Sequence, residues 1–236
     1  MIKIISLIVA LLYAVPLFSQ NLTASQLLQK SIDYHDPGGK WNTFKGGLHL
    51  KETRPDGPDR RTHLHINNKK SFFELIQHKE GNELVHVFEN GNCIHLLNKS
   101  KNISDADRKK HKLNSERTQL LRDYYLYLWG LPMKLTDPGT KIHEEVIEMD
   151  ILGEPALALK VTYDENVGDD TWYFYFNTIN YSLMAYRFYH DESKNDGEYI
   201  LCPDQKNIKG INFPASLKWY YNKDDKFLGE DILETQ

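Results

Sequence analysis

Three groups of side chains have types and spacings that could do chemistry. The first lies around Asn90-Gly91, where both residues tolerate the positive φ of a tight hairpin turn. Pairing across that turn sets Glu89 opposite Asn92, Phe88 opposite Cys93 and His86 opposite His95. His86, Cys93 and His95 then share one strand face and offer the nitrogen and sulfur donors that soft metals take. No fourth ligand accompanies them, and cross-strand histidines also occur as ordinary half-exposed pairs, so no metal is assigned here. His63 and His65, alternating with Leu64 and Ile66, read as a solvated face.

The second group is acidic. Segments 164–170, 191–197 and 222–226 collect Asp164, Glu165, Asp169, Asp170, Asp191, Glu192, Asp196, Asp224 and Asp225. In an antiparallel meander alternate loops fall at the same end, so these three share a rim opposite the loops at 177–181 and 203–209. Clustered carboxylates bind Ca²⁺ or dock a basic partner. However, Asp191-Glu-Ser-Lys-Asn-Asp-Gly197 has its glycine one place later than an EF-hand loop requires. Asp, Asn and Gly are also the residues that turns demand, so turn chemistry is the simpler account. No G-x-S-x-G, C-x-x-C, H-E-x-x-H or phosphate-binding glycine loop is present. Neither catalytic residues nor a cofactor is expected.

The third group is apolar. Trp172, Phe174 and Phe176 alternate on one strand face, Met184, Tyr186 and Phe188 repeat the pattern on the next strand, and Trp129 and Trp219 come from elsewhere. Together they are candidates to line a ligand pocket.

The elements that must position these groups are legible. Thr23-Ala-Ser-Gln26 is a capping box opening a short amphipathic helix, which Asp36-Pro-Gly-Gly39 ends. Strands follow around Leu48, Leu64, Ser71–Lys79, Leu84–Glu89 and Asn92–Leu97. Ser104 opens a short charged helix, and Asn114 or Ser115 caps a longer one with Leu120, Leu121, Tyr124, Tyr125 and Leu128 on its apolar face. After Asp137-Pro-Gly-Thr140 come strands at about 144–151, 156–163, 171–176, 183–190, 197–202, 211–221 and 227–233. With Tyr173 and Tyr175 opposite Trp172 and Phe174, several late strands are apolar on both faces, unlike a sheet with one wet side. This order predicts a mainly β, α+β chain of about eleven antiparallel strands, a curved sheet enclosing an apolar cavity and partly lidded by the helices. The alternative is that the tyrosines simply lie on the surface with wet hydroxyls.

Residues 1–20 have the three parts of a secretory signal: Lys3, the apolar run Ile4–Val15, and Pro16–Gln20 ending small. Cleavage is expected near Ser19–Asn21, leaving residues 21–236 as one domain in a periplasm or outside the cell. The apolar run is shorter than a membrane span, and no cysteine follows it to accept a lipid. The chain carries 29 basic and 33 acidic side chains, a balance that argues against nucleic acid as a partner. Cys93 and Cys202 are too few for a disulfide framework, and whether they bridge each other is left open.

Three segments carry a family resemblance: Tyr127-Leu-Trp-Gly-Leu-Pro-Met-Lys-Leu-Thr-Asp-Pro-Gly-Thr140, Val161-Thr-Tyr-Asp-Glu-Asn-Val-Gly-Asp-Asp-Thr-Trp-Tyr-Phe-Tyr-Phe176 and His190-Asp-Glu-Ser-Lys-Asn-Asp-Gly-Glu-Tyr199. They resemble an uncharacterised family of exported Bacteroidetes proteins related to the outer-membrane lipoprotein carriers LolA and LolB. Ile208-Lys-Gly-Ile-Asn-Phe-Pro214 resembles the glycine-to-proline strand start of that superfamily. The resemblance implies an unclosed antiparallel β-barrel, a half-barrel with helices lidding its concave side and an acyl chain or other apolar ligand inside, and brings no catalytic residues. A carrier for a lipid or lipidated partner is therefore expected, with Trp129, Trp172, Phe174, Phe176, Met184, Tyr186, Phe188 and Trp219 around the ligand. The alternative is an envelope interaction protein with a filled barrel, docking a partner at its acidic rim.

Overall fold

A computed structural model of the chain describes residues 22–234; the expected export segment lies outside them. α1 (Ala24–His35) opens with the expected capping box, in which the Thr23 hydroxyl accepts from the Gln26 N–H and the Gln26 amide oxygen from the Thr23 N–H. Five strands follow: β1 (Lys45–Arg54), β2 (Gly57–Asn67), β3 (Phe72–Lys79), β4 (Asn82–Glu89) and β5 (Asn92–Leu97). Two helices interrupt them, α2 (Asp105–His111) and α3 (Ser115–Gly130), the second capped by Asn114. The remainder is β6 (Thr140–Ile151), β7 (Glu154–Tyr163), β8 (Thr171–Asn177), β9 (Leu183–Tyr189), β10 (Glu198–Leu201), β11 (Gln205–Ile208), β12 (Ile211–Pro214), β13 (Ser216–Tyr221) and β14 (Phe227–Glu234).

Twelve strands form one antiparallel sheet in the order β5-β4-β3-β2-β1-β14-β13-β10-β9-β8-β7-β6. The first and last strands of the chain, β1 and β14, pair in its middle. The two edges, β5 and β6, do not pair with each other, so the barrel stays open. They are consecutive in the chain, so their connection must cross the gap, and it carries α2 and α3. The predicted strand 211–221 is two strands: Lys209 and Gly210 turn at positive φ, and β11 and β12 form a separate hairpin. The Ile208–Pro214 segment is that hairpin's turn and second strand.

The concave face buries one apolar cluster drawn from nearly every element, including Leu48, Leu64, Phe73, Leu128, Trp129, Phe174 and Leu217. α1 packs against β6 and β12, and α3 against β3, β4, β5 and β12. α3 can end close to the segment after α1 because Gly130 has no side chain: a Cβ there would sit 2.4 Å from the Trp41 ring. The convex face explains the aromatic excess of the late strands differently from a second cover. Tyr175 is buried among Ala156, Ala158 and Ala185. Around it long side chains lie over rings, Lys160 on Tyr173 and Arg187 on Tyr199, and Tyr199 stacks on Tyr220 at 5.0 Å. Cationic stems of this kind shield apolar surface while keeping their charges wet.

Candidate functional site

α3 crosses the concave face and leaves a cavity on each side. The larger, about 970 Å³, lies between α3 and the half of the sheet running from β7 to β14. Its walls include Tyr127, Leu128, Trp172, Phe188, Trp219 and Leu228. Trp172 is the keystone, with its ring 4.9 Å from Phe188, 5.6 Å from Tyr127 and stacked at 5.9 Å on Phe174. Tyr127 and Tyr163 join hydroxyls above it.

The cavity wall runs out along Asn166, Val167, Gly168, Asp170 and His190 to the rim that the β7–β8, β9–β10 and β13–β14 loops share. The rim carboxylates are largely occupied in holding these loops together. Asp170 binds His190 at 2.6 Å, Lys141 pairs with Asp164 and Lys194 with Asp191 at 2.7 Å, and Asp196 accepts the Asp191 N–H. Asn222 donates to the Phe188 and Asp196 carbonyls, joining two of the three loops. Asp170 thereby holds His190 above the usual imidazole range.

One corner of this cavity is polar, which the aromatic pattern of the sequence does not show. Arg54, His190 and Glu198 line it, and burial raises the Glu198 carboxyl above its usual value. Behind Arg54, Glu52 and Asp231 face each other directly across β1 and β14, both almost fully buried. Arg54 Nη2 lies 2.8 Å from Asp231, and the Trp219 indole N–H donates to Asp231 at 3.0 Å. Arg60 grips Glu52 through two 2.6 Å hydrogen bonds, aided by the Thr62 and Tyr125 hydroxyls. The two carboxyls are pushed apart in acidity. Burial, then the neighbouring Glu52 charge, lifts Asp231 to about 6 against the pull of Arg54. Burial also opposes the Glu52 charge, but Arg60, Thr62 and Tyr125 outweigh it and hold that carboxyl low. Neither carboxylate is on the cavity wall; each is covered by its arginine. The signal was in the alternation: Leu48, Leu50, Glu52 and Arg54 fall on one face of β1, and Arg60 and Thr62 continue the inward face of Leu64 and Ile66 on β2.

The eight apolar candidates separate into three places. Trp172, Phe188 and Trp219 line the cavity. Trp129, Phe174, Phe176 and Tyr186 are buried in the concave cluster behind it. Met184 is on the convex side with Tyr175 and Ala185, because the β8–β9 register shifts between Tyr175 and Phe176 and turns Met184 off the face of Tyr186.

The β4–β5 hairpin has the expected register, with His86 opposite His95 and Phe88 opposite Cys93. Both imidazoles lie 2.9 Å from the Thr118 hydroxyl of α3, and that hydroxyl donates to the Asn114 carbonyl. Its oxygen can therefore only accept from both rings. Cys93 likewise meets the Ser115 carbonyl. The trio docks the start of α3. Among the described residues no group of His, Cys, Asp or Glu is arranged to hold a metal, and Cys93 and Cys202 are both free thiols.

Over residues 2–235 the chain matches the model of a family of unknown function, DUF6503. No curated protein matches it. Among solved structures it is similar to a LolA superfamily protein from Nitrosomonas europaea, with 14% identity, 91% of this chain and 94% of that one covered, and a TM-score of 0.50. It is also similar to a domain described as outer membrane lipoprotein-sorting from Vibrio parahaemolyticus, at 8% identity, 90% and 92% coverage and a TM-score of 0.48. A DUF1329 protein from Desulfovibrio piger follows at 10% identity, 88% and 90% coverage and a TM-score of 0.44. At these identities the likeness is one of fold, and the fold is LolA-like.

Proposed function

The chain belongs to the DUF6503 family, and from that premise we propose that it is an exported binding or carrier protein for a lipid or lipidated partner, held in the larger cavity. The observation that carries this reading is a cavity of about 970 Å³ with an aromatic wall of Trp172, Phe188 and Trp219 and a polar corner of Arg54, His190 and Glu198. Ligand sites are typically apolar concavities of this size with a few polar groups that fix orientation, and Arg54, Glu198 and His190 would receive the ligand's polar end. A chain of a dozen methylenes buries enough surface, at roughly 25 cal/mol per Å², for micromolar binding after its ordering cost. The LolA-like fold and the signal-type sequence pattern of residues 1–20 support work in a periplasm. Docking of a protein at the acidic rim has less in its favour, since Asp164, Asp170 and Asp191 are already engaged by Lys141, His190 and Lys194.

Displacement of a fluorescent fatty acid, with mass spectrometry of organic extracts from natively exported protein, tests the proposal. Saturable binding is expected, weakened about tenfold or more in Trp172→Ala. Absence of both a bound lipid and saturable fatty-acid binding would remove the carrier function.

A further inference from the structure

We propose that the smaller cavity, on the other side of α3, is a separate binding site for a phosphate-type anion. It measures about 410 Å³ and lies between α2, α3 and strands β2 to β4. Its wall carries Arg60, Lys79, Lys110, His111, Lys112 and Arg117 against a single carboxylate, Glu80. Glu80 is 3.7 Å from Lys79 and accounts for that charge alone. The side chains of Lys110, Lys112 and Arg117 have no ion pair or hydrogen bond among the described residues. Arg60 is fixed by Glu52 through Nε and Nη2 at 2.6 Å, which leaves Nη1 without a protein partner.

This concentration of charge runs against the rest of the molecule. Residues 99–117 hold seven basic and three acidic side chains, whereas the remainder holds 22 basic and 30 acidic. Like charges within a Debye length, about 8 Å at physiological salt, repel one another. Arg60 is neutralised by Glu52 and Lys79 by Glu80, which leaves Lys110, Lys112 and Arg117 on one concavity without a protein counter-charge among the described residues. The positive field reaches inward: burial first, then His95 and Arg117, push His86 down to about 4. An anion relieves the repulsion. A carboxylate has two oxygens and a single charge, enough for one guanidinium. A phosphate has three or four oxygens and up to two charges, and matches cations arriving from several directions through charge-assisted hydrogen bonds. Leu84, Leu121 and Tyr125 form a less polar wall, which lowers the local dielectric and strengthens those contacts. The small concavity and the acidic surroundings do not suit a nucleic-acid backbone. The anion is either free phosphate or the headgroup of an anionic amphiphile. Only Tyr124 is shared with the larger cavity, so this site stands or falls independently of the lipid proposal.

Calorimetric titration of the mature chain at low ionic strength tests it, with inorganic phosphate and with dihexanoyl phosphatidic acid below its micellar concentration. At least one probe is expected to bind saturably. Lys110→Glu/Arg117→Glu should weaken that binding at least tenfold at an unchanged melting temperature, and Trp172→Ala by less than twofold. Binding of phosphate identifies the free anion as sufficient, and binding of the phosphatidic acid alone identifies a headgroup. If the double reversal disturbs folding, Lys110→Gln/Lys112→Gln on the exposed end of α2 should still weaken binding severalfold. The proposal is overturned if neither probe binds saturably, or if binding survives the charge changes. Phosphatidic acid binding lost only in Trp172→Ala would overturn it too, while supporting the larger cavity as a lipid site.

Discussion

Charge at single residues in this protein is controlled by what lies directly against them. Glu52 and Asp231 face each other across two strands, yet only Glu52 is given a bidentate arginine and two hydroxyls, so only Asp231 approaches neutrality near pH 6. His86 shows the complementary case. Burial and its cationic neighbours keep the ring neutral down to about pH 4, while in the unfolded chain it takes a proton near 6.5. The unfolded state thus binds more protons in that window, and the stability due to His86 is present above pH 6.5 and is lost as pH falls towards 4. Asp231 works the other way over part of the window, because its native carboxyl gains a proton first. Comparing the chain with His86→Gln isolates the histidine. The stability gap between the two, measured by urea denaturation, should be larger at pH 7.5 than at pH 4.5. An equal gap at both values would show that His86 is not held neutral.

At the level of elements, α3 decides which aromatic residues are core and which are wall. It packs on β3, β4 and β5 and is tied to the last two through the Thr118, His86 and His95 contacts, so the side of the sheet that it leaves uncovered is the side of β8, β9 and β13. Phe174 sits one layer below that opening, 0% exposed and packed between Trp172 and Tyr186 at 5.9 and 6.0 Å. Phe174→Ala should therefore cost about 3–5 kcal/mol of stability. Trp172→Ala, whose ring borders empty space, should cost less and act mainly on ligand binding. Equilibrium denaturation of both variants, with fatty-acid binding measured alongside, checks the assignment. A loss below about 1 kcal/mol in Phe174→Ala would mean that the cavity reaches deeper than its present floor. The bulge at Met184 has the same kind of consequence, since one extra residue in a strand moves a side chain to the opposite face.

Across the whole molecule, the β1–β14 pairing closes the chain on itself. Strands from the start and the end of the sequence lie side by side in the middle of one sheet, and a single apolar cluster draws on both halves. Residues 21–236 are therefore proposed to unfold as one cooperative unit. Circular dichroism and tryptophan fluorescence should give coincident transitions. Two separated transitions would divide the chain into domains that the pairing argues against.

How much was legible follows from the range of each signal. The capping box at Thr23, the Asn90-Gly91 hairpin with its His86–His95 register, the Asn114 cap and the mainly antiparallel β order all rest on local spacing or on the order of elements, which a chain carries in plain sequence, whereas the half-barrel came from the family resemblance. The inward placement of Glu52, Arg54 and Arg60 is in the sequence too, in the period of two, but polar residues at inward positions read equally well as strand ends. The tertiary structure alone decided the rest. Whether Trp172 or Phe174 meets the cavity depends on where α3 lies, the side taken by Met184 depends on a one-residue register shift, and the facing of Glu52 with Asp231 joins residues at opposite ends of the chain. The cationic cavity is likewise a product of packing: a basic run in α2 is an ordinary solvated face until β2, β3 and α3 close around it, because spacing along a chain fixes the face of an element and not what the fold sets against that face.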